Sequence, residues 1–220
     1  MPVSLRKIEK RRVLVIAPHP DDEAIGCGGS LALHRKAGSS VRTIFVTIDR
    51  PLPSGEIVRV GEADRASKAL GFDQQWLKIP DGSVSRHEPE VAEGIAKAIR
   101  ETSPDVIFCP FPGDNHRDHQ AAAASTAAAI AKADFGGDVW CYEVWAALWP
   151  NFFVDISSVV EEKRAAIECY RSQIEFTPYV EGVLGLNRYR GVKARTTYAE
   201  AFYICSGRDF VNLCGMLNSF

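Results

Sequence analysis

The stretch VLVIAPHPDDEAIGCGG, Val13 to Gly29, changes character within one residue. Val13 to Ala17 is an unbroken apolar run of strand length. It delivers the chain into His19-Pro20-Asp21-Asp22-Glu23, three consecutive acids beside an imidazole, before Gly26, Gly28 and Gly29. A short apolar run bounded by turn residues reads as a buried strand, and the acids at its end need an explanation that core packing does not supply.

Working outward, similar runs lie at Val41 to Ile48, Trp76 to Ile79 and Val106 to Cys109, each followed by a loop and helical periodicity. The intervening helices are expected over Asp22 to Ala37, Val60 to Leu70, Glu88 to Thr102 and Asp118 to Lys132, the first two stopped by Gly38 and Gly71. Strands alternating with helices of this length predict an α/β fold, a Rossmann-like, mostly parallel sheet with helices on both faces. After Gly137 come the strand-like WCYEVW and FFVDI, a helix over Val159 to Ser172, and a small mixed C-terminal part with a strand at Ala201 to Cys205. Without a repeat or linker, one domain over residues 1 to 220 is expected.

If the first four strands take the common doubly wound order, the first and fourth are neighbours, and ligands bind outside their carboxyl ends. The fourth strand runs into CPFPGDNHRDHQAAAA, so His116, Asp118 and His119 meet His19, Asp21 and Asp22 at one crevice. Imidazole nitrogen and carboxylate oxygen together suit zinc, whereas magnesium and calcium take oxygen with little histidine. A catalytic zinc needs three protein ligands and an open position, and these clusters hold more than three, leaving groups for acid–base work. Asp22 or Asp118 alone could be a helix cap, which explains one acid and not the convergence. Glu23 is expected to play a supporting part, and His34 and His87 to lie at the surface.

Composition narrows the class. Apolar residues at 46% and charged residues at 25% are ordinary for a soluble globular protein, and a net charge of −2 offers no basic face for nucleic acid. The cluster Arg6, Lys7, Lys10, Arg11 and Arg12 precedes an apolar run too short for a signal peptide, and no apolar stretch is long enough to span a bilayer. A cytoplasmic protein is expected, with all six scattered cysteines as core residues. A dinucleotide site competes for the crevice through Gly26, Gly28 and Gly29. Counted from Gly26, however, Leu31 takes the third glycine position, and three carboxylates would repel a pyrophosphate. The glycines are better read as permitting close helix–sheet packing.

APHPDDE at Ala17 to Glu23 with IGCGG, and HRDH at His116 to His119, resemble the two signature motifs of the PIG-L/LmbE-like zinc-dependent de-N-acetylases. The likeness continues through VRVGEADRASKALG, LKIPDG, EKRAAIECYRSQ, GLNRYRG and YAEAF, nearly the whole chain. It implies a Rossmann-like fold and removal of acetyl groups from N-acetylglucosamine-type small molecules, among them precursors of glycolipid anchors and of the thiols mycothiol and bacillithiol. It further implies one Zn2+ held by His19, Asp22 and His119, Asp21 as general base, His116 stabilising the oxyanion, and Asp118 orienting His116 and favouring its charged form. Arg59 and Asp81 match positions that hold the sugar, although a helix start and a P-D-G turn account for the same residues. Asp114 stands where some relatives carry a tyrosine, and relatives of this kind assemble, so a homo-oligomer is expected. Two further readings stay open: an amidase for another N-acyl group, with its pocket drawn from Trp140, Tyr142, Trp145, Trp149, Phe152 and Phe153, and a non-enzymatic dinucleotide-binding module.

Overall fold

A computed structural model describes residues 4–5, 8–55 and 57–217; Arg6 and Lys7 of the basic cluster lie outside them. In chain order the elements are β1 (Ser4–Leu5), β2 (Arg12–Ala17), α1 (Asp22–Lys36), β3 (Ser40–Ile48), α2 (Val58–Leu70), β4 (Asp73–Pro80), α3 (Glu88–Thr102), β5 (Val106–Pro110) and α4 (Arg117–Ala133). The remainder comprises β6 (Asp138–Tyr142), β7 (Phe152–Asp155), α5 (Val160–Ile167), α6 (Arg171–Ile174), α7 (Tyr179–Ala194), β8 (Ala199–Ser206) and α8 (Gly207–Leu217).

One sheet of order β1-β7-β8-β6-β5-β2-β3-β4 joins the described strands. From β4 to β6 every pairing is parallel, and β2 pairs with β5 as the doubly wound order requires. The antiparallel β8, between β6 and β7, makes the sheet mixed. Alternate residues of β2 enter different cores. Val13, Val15 and Ala17 pack with α1, α2 and α5, while Leu14 and Ile16 pack with α3, α4 and α8. A strand covered on both faces has no polar face to show, which is why its sequence is a continuous apolar run.

The glycines of α1 act in packing. A Cβ on Gly26 would meet the Tyr142 ring at 2.2 Å, and one on Gly29 would meet Ile156 at 2.7 Å. The dinucleotide reading thereby loses the role it gave those residues.

Several expectations are corrected. The helix proposed over Val159 to Ser172 breaks after Ile167 and restarts at Arg171. Two helices in the tail were not foreseen; Gly182, Gly185 and Gly191 inside α7 obscure its propensity. WCYEVW leaves the sheet after Tyr142. Cys169 and Cys205 are only partly buried, unlike the other four cysteines. His34, expected at the surface, is buried at 1% exposure, its Nδ1 2.9 Å from Ser39 Oγ and its ring edge-on to Phe108.

Burial, with the nearby Arg11 charge, lowers the pKa of His34 from 6.5 to about 4. Above pH 6.5 the imidazole is neutral both folded and unfolded. Below it the unfolded chain takes up a proton that the fold excludes, so stability declines by about 2 kcal/mol between pH 7 and pH 5. His34→Asn should remove that part of the decline in urea-unfolding midpoints at the two pH values, and an unchanged decline would refute the assignment.

Candidate metal centre

The carboxyl ends of β2 and β5 carry the two clusters to one pocket. After Ala17 the chain turns at Pro18 to Asp21 into α1, whose first residue is Asp22. After Pro110 a loop leads to His116, the N-cap of α4, and His119 follows in its first turn. The ends meet although 99 residues of sequence separate them: His19 Nε2 lies 3.2 Å from Asp118 Oδ2.

Three ligating atoms form a small triangle. Asp22 Oδ2 is 3.2 Å from His19 Nδ1 and 3.2 Å from His119 Nε2, and those two nitrogens are 3.3 Å apart. Tetrahedral zinc at its usual bond lengths spaces its ligand atoms about 3.3–3.6 Å apart, so the triangle has the size of one face of such a site. His116 stands next to it, within a 4.8 Å grouping with His19 and His119. His19, Asp81 and Asp118 form a second such grouping around the other ring nitrogen of His19. A Nε2–H held by those two carboxylates leaves the Nδ1 lone pair for the triangle, the usual arrangement behind a metal-bound histidine.

Electrostatics favour a cation here. Burial would lower the pKa of His19, but Asp118, Asp22 and Asp81 outweigh it and push it up to about 12. His119, also buried, is raised to about 9 by Asp22 and Asp114. Burial alone would raise Asp22, yet the His119 and His19 imidazoles hold it far below the usual carboxylate range. Imidazoles that keep protons this tightly report a field demanding positive charge, which a divalent ion can meet in their place.

Asp21 lies beside the triangle. Its backbone has φ 128°, a conformation that side-chain-bearing residues rarely adopt, held by Ala24 and Ile25 N–H donating to its carbonyl and by its own N–H donating to Glu23 Oε2. Burial pushes its carboxyl up to about 7, against the pull of Arg59, whose Nη2 is 2.9 Å from Oδ2. Glu23, expected in a supporting part, is fully buried and accepts a 2.5 Å hydrogen bond from Tyr170.

Two expected roles change. The Asp118 carboxylate does not face the His116 ring; besides reaching His19 it accepts from the N–H groups of Gly82 and Val84 at 2.9 and 3.2 Å. What His116 Nδ1 receives is the backbone N–H of Asp118, at 3.2 Å. Nor is the imidazolium favoured: burial first, then the neighbouring imidazoles, lower the pKa of His116. With Nδ1 accepting, neutral His116 carries its proton on Nε2 and remains a donor.

Arg59 and Asp81 both line the pocket, which has a volume of about 150 Å3. Arg59 is 8% exposed, bonded to Pro20 O at 2.6 Å and paired with Asp21, with Asp49 Oδ1 at 3.5 Å. It is thus built into the wall and is no solvated helix-start residue. Asp81, half exposed, reaches His19 Nε2 at 3.1 Å.

Sequence reasoning gave no role at the site to Asp114, Gln173 or Tyr179, and offered Trp145 only within an aromatic set. Asp114 accepts from the N–H groups of His116 and Trp145, and its Oδ2 lies 3.5 Å from His119 Nδ1, close enough to act through charge although no hydrogen bond forms. Its place two residues before His116, where an aspartate commonly bonds the chain ahead, was the available signal. Trp145 stacks on His116 at 6.4 Å, and Tyr179 meets Trp145 edge-on at 5.9 Å. Tyr179 and Gln173 also line the pocket; Gln173 ends the EKRAAIECYRSQ stretch of the family likeness, whereas Tyr179 lies in a segment with no pattern to betray it. Of the aromatic set suggested as a pocket, only Trp145 is there: Trp140, Tyr142, Phe152 and Phe153 are buried in the core, and Trp149 is 91% exposed.

Known proteins resemble this chain in sequence and in fold. The chain is 27% identical to diacetylchitobiose deacetylase of Thermococcus kodakarensis, over 93% of this chain and 86% of that protein. The crystal structure of the conserved protein TT1542 from Thermus thermophilus superposes with a TM-score of 0.77 at 34% identity, covering 88% of this chain and 94% of that one. The 4-carboxy-2-hydroxymuconate hydratase of Pseudomonas putida superposes with a TM-score of 0.75 at 23% identity, over 88% and 95%, a likeness of fold alone. One fold thus serves different reactions, and the reaction has to be argued from the site. Residues 14–130, which include both motifs, match the family described as GlcNAc-PI de-N-acetylase, PIG-L; the chain belongs to that family.

Proposed function

We propose that this protein is a zinc-dependent hydrolase that removes the acetyl group from an N-acetylglucosamine-type amino sugar or glycoconjugate. The observation that carries the reading is the triangle of Asp22 Oδ2, His19 Nδ1 and His119 Nε2, 3.2–3.3 Å on a side, flanked by the Asp21 carboxylate and the His116 ring. The family and the deacetylase relative supply the substrate class.

His19, Asp22 and His119 would hold the zinc, with Asp118, Asp81 and Asp114 fixing the two imidazoles from behind. Bound there, zinc supplies Lewis acidity toward the amide carbonyl and the attacking water. Asp21, whose carboxyl lies beside the triangle, would accept the water's proton, and Arg59 keeps it oriented. Neutral His116 donates its Nε2–H to the oxyanion that develops as the amide carbon becomes tetrahedral. The proton on Asp21 then passes to the departing nitrogen, releasing acetate and the free amine. Arg59 and Asp81, both lining the pocket, present charge to the sugar hydroxyls. A reducing, cytoplasmic setting is in keeping with six unpaired thiols.

Acetate release from N-acetylglucosaminyl substrates, with and without chelator, is the direct test: turnover should vanish on chelation and return with zinc, and chelator-resistant activity would refute the metal mechanism. Asp21→Asn should retain stoichiometric zinc while losing about 10²–10⁴-fold in kcat. His119→Ala should lose tight zinc. Asp21→Gly and Asp21→Ala both remove the carboxylate, but only glycine accepts φ 128° without strain. The glycine variant should therefore be the more stable by about 1–2 kcal/mol in urea unfolding, and equal stabilities would show that the backbone at Asp21 is relaxed.

A further inference from the structure

A second cavity of about 250 Å3 adjoins the metal pocket. Its wall includes Ile25, Val144, Trp145, Tyr179, Val183 and Leu186, and the first four of these also line the metal pocket, so the two spaces share a partition. Their chemistry differs sharply. Beyond the shared residues, the metal pocket is walled by aspartates, histidines, Arg59 and Gln173. The adjoining cavity is mainly aliphatic and aromatic, and its one buried charged residue, Glu143, is already engaged by Arg190 at 2.7 and 3.1 Å.

We infer that this cavity is an aglycone subsite that takes an apolar group attached to the amino sugar whose acetamide occupies the metal pocket. The inference rests on the de-N-acetylase reading of that pocket. The same reading tells the two sides of the sugar apart. An acetyl group carries only a methyl beyond its carbonyl and cannot use a space as large as about eight water molecules, so the occupant belongs to the substituent that stays on the sugar. Polar aglycones would gain little against Val183, Leu186 and Ile25. Buried methylenes, worth about 0.8 kcal/mol each, would raise affinity about threefold to fourfold apiece until the space is full.

Two measurements on the zinc-loaded enzyme test this. In the first, kcat/KM for acetate release is compared across N-acetylglucosamine, its methyl, butyl and hexyl glycosides in both anomers, and glucosamine bearing N-butanoyl or N-hexanoyl groups. In the second, calorimetry compares binding of the corresponding free-amine glycosides, which needs no turnover. Hexyl should exceed methyl by at least tenfold in both measurements for one anomer. A side chain at Gly182 would start in open space at the cavity wall, so Gly182→Leu should bring the hexyl-to-methyl ratio toward 1. Equal turnover and equal binding across the glycosides overturn the inference and leave the de-N-acetylase reading intact. Gains that follow the N-acyl chain instead also overturn it, making the cavity an acyl pocket. Absence of acetate release from every substrate defeats the de-N-acetylase reading, and the calorimetric comparison still decides whether the cavity takes apolar groups.

Discussion

Three parallel residue pairs, Val13 with Val106, Leu14 with Ile107 and Val15 with Phe108, join β2 to β5, and the site depends on them. Parallel pairing sends both strands toward the same edge of the sheet, so the acids after β2 and the histidines after β5 emerge together. A slip of one residue would turn every side chain of β2 to the other face. Val15 and Ala17 pack into one core and Leu14 and Ile16 into the other, so that slip would exchange the side chains of two close-packed cores, and it is the fit of those side chains on both faces that holds the register of the site.

Helix α1 has to be held as firmly as the strands, because its first residue is Asp22. The clamp is a buried ion pair: Lys163 Nζ lies 2.6 Å from Glu200 Oε1 and donates to Ile25 O at 2.8 Å, while Glu200 accepts the N–H groups of Gly29 and Ser30. Charges fully removed from water are tolerated only when paired and further hydrogen-bonded, as both are here. The pair ties α5 and β8 to the interior of α1, where the Lys163 side chain runs alongside Gly28 at a distance that a Cβ would meet in ordinary contact. Of the glycines that resembled a nucleotide loop, Gly26 and Gly29 admit Tyr142 and Ile156 against the helix.

Around the pocket, five carboxylates face two buried imidazoles and one guanidinium. In such a field the aspartates divide by their neighbours. Asp22, between two imidazoles, is held ionised, whereas Asp21, buried and next to that charge, is raised toward neutrality against the pull of Arg59 first and then of His19 and His119. Adjacent residues of one type thereby acquire different chemistry, and the unusual φ of Asp21 turns its carboxylate toward Arg59 and not into the triangle.

Much of this was legible in the chain. Apolar runs, glycine stops and helical periodicity predicted the parallel core of the sheet, and α3 spans the residues expected of it. The two motifs identified the clusters that meet, because ionisable residues at the end of a buried strand have no packing explanation. Outside that core the signal was weaker: α7 contains three glycines, and the loop carrying Trp145 reads like a continuation of β6. The sequence by itself determined which residue types stand at the ends of β2 and β5. Tertiary structure alone decided that Asp118 serves His19 and not His116, that His34 is buried, that Arg59 is locked onto Asp21, and that an apolar chamber opens beside the pocket. Those outcomes depend on distances between segments far apart in the chain, which local propensity and periodicity do not encode.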